Sequence, residues 1–207
     1  KEVKDVLAFL RLISNPADDA ALERIINIPA RGISARSVTE LRRVAVTNNV
    51  PILDVILDIS RVQLGDEDPP AYYAELATRA LKSVTAFGEL VTRFIEQSLA
   101  LDTNELIDLI VERSGYGAML REDKERGEER MENLQELKAS AEQFAGSEER
   151  GQLSDFLENV ALVSDVDGLQ GGDDSEVDEE AITLITLHQA KGLEYDAVFL
   201  VGLEEGM

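Results

Sequence analysis

The sequence contains no cysteine and only one histidine, His188, among its 207 residues. These absences exclude disulfide bonds, cysteine-based zinc sites and metal sites that need several histidines. Aromatic residues amount to only 5%, whereas 30% of the residues are charged and 44% are hydrophobic. No apolar run approaches the length of a membrane span, and no signal-peptide pattern opens the chain. The composition therefore predicts a helix-rich, surface-charged protein with no membrane partner and, by default, a cytoplasmic location.

The net charge of −22 is strongly acidic, whereas nucleic-acid-binding proteins are usually basic. Because like charges repel a phosphate backbone, the overall acidity argues against a DNA-binding role. The charges are unevenly distributed, however, and much of the acid lies in residues 122–149 and 165–180. A short early stretch is rich in arginine, namely Arg24, Arg31, Arg36, Arg42 and Arg43. This stretch is either a local binding surface or, more ordinarily, a solvated helix face.

Apolar residues recur at helical spacing through most of residues 1–165, which we predict to form one mainly α domain. Ser37 with Glu40, and Asp102 with Glu105, each fit a capping box that starts a helix. The predicted helices cover residues 2–13, 19–26, 37–47, 51–59, 71–99, 102–111 and 130–144, with one more around Phe156.

The pattern changes near the end of the chain. Residues 166–180 are acidic, contain glycine and few apolar residues, and are typical of a flexible linker. Ile182 to Leu187 and Ala197 to Val201 are near-continuous apolar runs, as in strands buried within a parallel sheet. Residues 181–207 are therefore predicted to be a short two-strand fragment of an α/β domain. Since Lys1 is not an initiator methionine and both ends fall within patterned segments, we expect the chain to belong to a longer protein.

The first of these predicted strands ends in polar residues and leads into a glycine-containing loop. From Thr186 to Tyr195 the sequence is T-L-H-Q-A-K-G-L-E-Y. Polar groups at the carboxyl end of a parallel strand lie where open α/β sheets bind ligands. Lys191 and Gly192 do not fit a Walker A phosphate loop. Taken singly, His188 is an ordinary strand-end residue, and Lys191 is as well explained as a solvated loop lysine.

As a whole, the segment resembles motif V of UvrD/Rep/PcrA-type superfamily 1 DNA helicases, T-L-H-x-A-K-G-L-E-[FY], and it is followed by the same V-F-x-x-G-x-x-E-G pattern. Residues 1–19 resemble the start of the family's accessory 2B subdomain. Residues 22–33 resemble its R-I-I-N-x-P-x-R-G-I element, and a weaker match runs from Tyr116 to Phe144. The resemblance thus spans most of the chain and is densest at both ends.

The resemblance implies a fragment of an ATP-dependent 3′–5′ DNA helicase, with a helical 2B-like accessory domain and part of a RecA-like 2A motor domain. Thr186 and His188 match positions that contact single-stranded DNA. Gly192 and Glu194 match positions that face the ATP cleft. The family's G-I-G element, which touches duplex DNA, implies a second set of DNA-binding residues: Arg31, Gly32, Ile33, Ser34 and Arg36. Two departures are that Ser34 replaces the family's second glycine and that Tyr195 replaces the commoner phenylalanine.

The parent protein would use ATP and Mg²⁺, and its partners would be single-stranded and duplex DNA, the missing motor domains, and repair or replication proteins. The Walker A loop and the Asp-Glu pair for magnesium are absent from this sequence, so we expect the chain alone to be inactive and to bind neither ATP nor Mg²⁺. A function of another class remains an alternative, namely an acidic helical module for protein interaction or autoinhibition, with little DNA affinity. The salt dependence of DNA binding separates the two hypotheses.

Overall fold

A computed structural model of the chain describes residues 1–65, 78–147 and 152–170, together with residue 199. The chain divides into two units, Lys1–Glu158 and Asn159–Met207. Every regular element in the described ranges is an α-helix, which confirms the mainly α prediction for this part of the chain. The two predicted strands, apart from residue 199, lie outside the described residues, so the α/β fragment stays a prediction.

The described ranges contain nine helices: α1 (Glu2–Ser14), α2 (Asp19–Ile25), α3 (Ala35–Asn48), α4 (Ile52–Leu64), α5 (Thr78–Ser98), α6 (Thr103–Arg113), α7 (Tyr116–Glu122), α8 (Gly127–Ser147) and α9 (Leu153–Gln170). Helix α9 continues into residues 166–170, which the sequence analysis assigned to the acidic linker. No proline interrupts this segment, so the helical backbone hydrogen bonds can continue. The rest of the predicted linker lies outside the described residues. None of the helices described is long and apolar enough to cross a membrane.

Side chains fix where several helices begin. Asp18 caps α2, since its Oδ1 accepts the Ala21 N–H at 2.8 Å. At the start of α6, Glu105 Oε2 accepts the Asp102 N–H at 3.0 Å, as the predicted capping box requires. The prediction for α3 was wrong by three residues, because the N-cap is Ser34 and not Ser37. The α3 backbone becomes helical directly after Ser34, which itself is extended (φ −75°, ψ 158°).

Helix α1 lies at the centre of the first unit and contacts α2, α5, α6 and α8. Most of its apolar side chains are almost completely buried, including Val6 and Leu10 at 0% exposure. Phe9 packs edge-to-face against Phe94 of α5, with ring centroids 6.0 Å apart. Burying each such side chain stabilises the fold by about 1.5–3 kcal/mol. The packing of α1 therefore fixes α2, α5 and α6, which lie around the loop between α2 and α3.

A buried polar cluster joins α1, α2 and α7, and it explains why α7 forms although the sequence analysis did not predict it. Asp5 is only 1% exposed. Arg24 Nη2 lies 2.7 Å from its Oδ1, and the Tyr116 hydroxyl donates to its Oδ2 at 2.6 Å. Burial, followed by the hydrogen bond to Asp5, raises the pKa of Tyr116 well above its ordinary value. The cluster thus anchors the first turn of α7 to the core.

Candidate nucleic-acid interface

The loop of residues 27–34, which we call the α2–α3 loop, carries most of the predicted duplex-binding residues. Asn27 holds it from one side, because its Oδ1 accepts the N–H groups of Arg31 (2.7 Å) and Ile33 (3.3 Å). Gly32 has a φ of +78°, a backbone conformation that costs glycine little and other residues more. Ile33 is only 1% exposed and fixes the end of the loop in the core. The loop therefore has a defined shape and exposes Gly32 to solvent.

The loop leads directly into the N-terminus of α3. Ser34 Oγ accepts the Ser37 N–H at 3.2 Å, and the Ser34 carbonyl accepts the Val38 N–H at 3.1 Å. Within the described part of the chain, the N–H groups of Ala35 and Arg36 have no acceptor. The first N–H groups of a helix, together with the helix dipole, favour a phosphate or another anion at this end. Ser34 therefore shapes the helix start while two N–H groups remain available.

Arg31 was predicted to contact DNA, but its guanidinium is directed into the protein. The side chain is half-buried. Its Nη1 lies within hydrogen-bonding distance of four backbone carbonyls from the α2 C-terminus and the loop itself: Ile25 (2.9 Å), Ile26 (3.4 Å), Ile28 (2.8 Å) and Pro29 (3.2 Å). The observed contacts of this side chain are therefore internal.

The other side of the Arg31 guanidinium reaches a distant part of the chain. Its Nη2 donates to the carbonyl of Ser114 at 3.2 Å, across 83 positions of sequence. The guanidinium carbon also lies 5.4 Å from the ring centroid of Phe87 and 6.0 Å from that of Phe9. Burial lowers the pKa of Arg31 to about 10, so the group remains protonated at neutral pH. The α2–α3 loop is thereby tied to the turn between α6 and α7.

The early arginines that are exposed differ in whether a carboxylate pairs with them. Arg24 pairs with buried Asp5, Arg42 Nη2 lies 2.5 Å from Glu23 Oε1, and Arg43 pairs with Glu40 of the preceding helical turn at 3.0 Å. Arg36, the second residue of α3, is exposed. No carboxylate among the described residues pairs with it. In the part of the chain that the structure describes, Arg36 is therefore an exposed cation next to the α2–α3 loop that has no carboxylate partner.

The remaining predicted site residues, Thr186, His188, Gly192 and Glu194, lie outside the described residues. Their roles toward single-stranded DNA and ATP therefore stay predictions. Within the described ranges, no group of three or more histidine, cysteine, aspartate or glutamate side chains could hold a metal ion.

Sequence reasoning missed two residues that shape the loop, Asn27 and Ser114. An asparagine just before a proline-containing turn is a recognisable signal, since its side chain often accepts hydrogen bonds from nearby backbone N–H groups. Ser114 contributes only its carbonyl. No sequence signal marks such a contact, because every residue has a carbonyl.

Comparison with known proteins places these features in a family context. The UvrD-like helicase C-terminal domain family matches residues 1–207. Proteins named ATP-dependent DNA helicase PcrA are similar over the whole chain: 37% identity with the one from Leuconostoc citreum, 34% with the one from Staphylococcus aureus (strain Mu50 / ATCC 700699) and 33% with the one from Bacillus subtilis (strain 168). The chain spans 26% of the length of each of these relatives.

Proposed function

Because this chain belongs to the UvrD-like helicase C-terminal domain family, we propose that it acts within an ATP-dependent 3′–5′ DNA helicase. Its helical part would be the accessory domain that grips duplex DNA and regulates unwinding. The grip would consist of the α2–α3 loop and the first turn of α3. The observation that carries this proposal is the combination found there: an exposed Gly32 at positive φ, two N–H groups with no acceptor among the described residues, and the exposed Arg36.

These contacts suit a phosphate backbone and not a particular base sequence. Backbone N–H groups and arginine side chains bind phosphate oxygens and position a protein on DNA without reading bases. The N-terminal end of α3 adds the partial positive charge of the helix dipole. Since the chain as a whole is strongly acidic, we expect the affinity of this surface for duplex DNA to be modest and steeply dependent on salt.

For the end of the chain, the proposal rests on sequence similarity. Thr186 and His188 would contact single-stranded DNA, and Gly192 and Glu194 would face the ATP cleft of the motor. ATP hydrolysis, aided by Mg²⁺, would supply the energy for movement along DNA. We propose no nucleotide-binding role for the described helices, since the residues that resemble nucleotide-facing positions lie beyond them.

The duplex-binding role can be tested with the 207-residue chain and a short fluorescein-labelled DNA duplex. Fluorescence anisotropy gives the dissociation constant at several NaCl concentrations between about 50 and 200 mM. Arg36→Ala should weaken binding and reduce the slope of log K against log salt by about 0.9, the value for one lost phosphate contact. Arg42→Ala is the matched control, because it removes the same charge from the same helix but from an arginine paired with Glu23.

Equal salt slopes for Arg36→Ala and the unchanged chain would contradict the proposed grip. Absence of duplex binding at every salt concentration would instead favour the second candidate, an acidic interaction or autoinhibitory module. One feature specifically favours that candidate. Helix α8 exposes a series of acidic side chains along its length, Glu128, Glu129, Glu132, Glu136 and Glu142. Such a surface repels DNA and would suit a basic protein segment.

A further inference from the structure

The Arg31 guanidinium lies where the C-terminal ends of two helices meet. Ile25 and Ile26 supply the last carbonyls of α2, and Ser114 is the C-terminal cap of α6. Carbonyls at a helix C-terminus lack partners within the helix and carry the partial negative charge of the helix dipole, so they favour a cation. Among the described residues, no carboxylate pairs with Arg31. Its charge is therefore balanced by backbone dipoles and not by an acidic side chain.

The contacts of Arg31 need a planar, forked cation. Nη1 donates hydrogen bonds to carbonyls of α2 and the loop, while Nη2 donates to the Ser114 carbonyl on the other side. The flat group also lies near the rings of Phe9 and Phe87. A guanidinium has five N–H donors in one plane, whereas a lysine ammonium is a single nitrogen that cannot serve both sides at once. Lysine at this position would keep the positive charge but could not join the α2–α3 loop to the Ser114 carbonyl at the same time.

We propose that Arg31 is a positioning residue, which fixes the shape of the α2–α3 loop from within and touches no phosphate itself. The inference rests on the proposed duplex-binding role of that loop. By joining the α2 C-terminus to the turn between α6 and α7, Arg31 holds the backbone on which Gly32 and the α3 N-terminus are presented. Arg36 then makes the phosphate contact. The family resemblance by itself would assign such a contact to Arg31 as readily as to Arg36.

The first part of the test concerns the loop without DNA. Arg31→Lys and the matched control Arg36→Lys are compared by amide hydrogen exchange, measured by NMR. We expect the Ile28 and Ile33 N–H groups to exchange about tenfold faster in Arg31→Lys, since a tenfold change follows from losing about one hydrogen bond's worth of stabilisation. Arg36→Lys should leave both rates unchanged. Unaltered exchange in Arg31→Lys would overturn the proposal. Complete unfolding of Arg31→Lys, seen by circular dichroism, would support an internal role.

The second part separates positioning from direct contact by the salt dependence of duplex binding. With the labelled duplex, Arg31→Lys should weaken binding about fivefold to tenfold at every salt concentration and leave the slope unchanged. The comparison variant Arg31→Gln should also keep the slope. A slope reduced by about 0.9 in Arg31→Gln, with normal binding by Arg31→Lys, would show that Arg31 touches a phosphate and would overturn the proposal. If the unchanged chain binds no duplex, the proposed function fails, and the exchange measurement alone decides whether Arg31 positions the loop.

Discussion

Replacement of Tyr116 by phenylalanine should destabilise the first unit measurably, because the Tyr116 hydroxyl joins α7 to a buried carboxylate of α1. The Tyr116 side chain is 2% exposed, and its hydroxyl donates to Asp5 Oδ2 at 2.6 Å. Phenylalanine keeps the ring and its apolar burial, so the change removes little except this hydrogen bond. A hydrogen bond to a charged group contributes about 1.5–3 kcal/mol.

The expected loss lies in the lower part of that range. Asp5 keeps its ion pair with Arg24 at 2.7 Å, so its carboxylate is not left without any partner. We therefore expect Tyr116→Phe to lower the free energy of unfolding by about 2 kcal/mol. For a unit of this size, that corresponds to a fall in Tm of about 4–8 °C.

Urea unfolding at neutral pH, followed by circular dichroism, measures the change. A double-mutant cycle with Asp5→Asn isolates the contribution of the pair, and a coupling energy of about 1 kcal/mol or more is expected. The reasoning would be refuted by a loss smaller than about 0.5 kcal/mol, the range of ordinary surface substitutions. Additive effects of the two substitutions would refute it equally.

Three further predictions concern Tyr116, Gly88 and Ser34. The pKa of Tyr116 is raised in the folded state, so the stabilisation by its neutral hydroxyl is complete below about pH 10, the pKa of an unfolded tyrosine, and is lost as the pH rises above it. The difference in free energy of unfolding between the unchanged chain and Tyr116→Phe, measured by urea titration, should therefore narrow by about 1 kcal/mol by pH 11. Gly88→Ala should cost about 1–3 kcal/mol in thermal unfolding, since the new Cβ would lie 2.3 Å from Ser60 Oγ, and Ser60→Gly should recover part of that loss. Ser34→Ala should cost about 1 kcal/mol by removing the cap that accepts the Ser37 N–H, whereas Ser34→Gly should cost only a few tenths; equal losses for the two would contradict a capping role.

Most helices of the first unit could be predicted from the sequence, because their signals are local. The Asp102 and Glu105 pair marked the start of α6 within four residues of chain. Helix α7 was missed because it is short and contains Gly117, a poor helix former. The spacing of Tyr116 and Leu120, both buried, was the signal that could have revealed it. The start of α3 was misplaced because two serines, Ser34 and Ser37, both fit the pattern of a cap.

The sequence by itself determined the family, the mainly α character and the segment in which duplex contacts are expected. Periodicity, caps and motif spacing are properties of neighbouring residues, so they can be read along a chain. Only the tertiary structure decided which of Arg31 and Arg36 is exposed. Arg31 and Arg36 are the same residue type in the same segment. Ser114, Phe9 and Phe87 lie around the Arg31 guanidinium, whereas Arg36 is exposed. Those partners are distant in sequence, and the burial that separates the two arginines exists only once the helices have packed together.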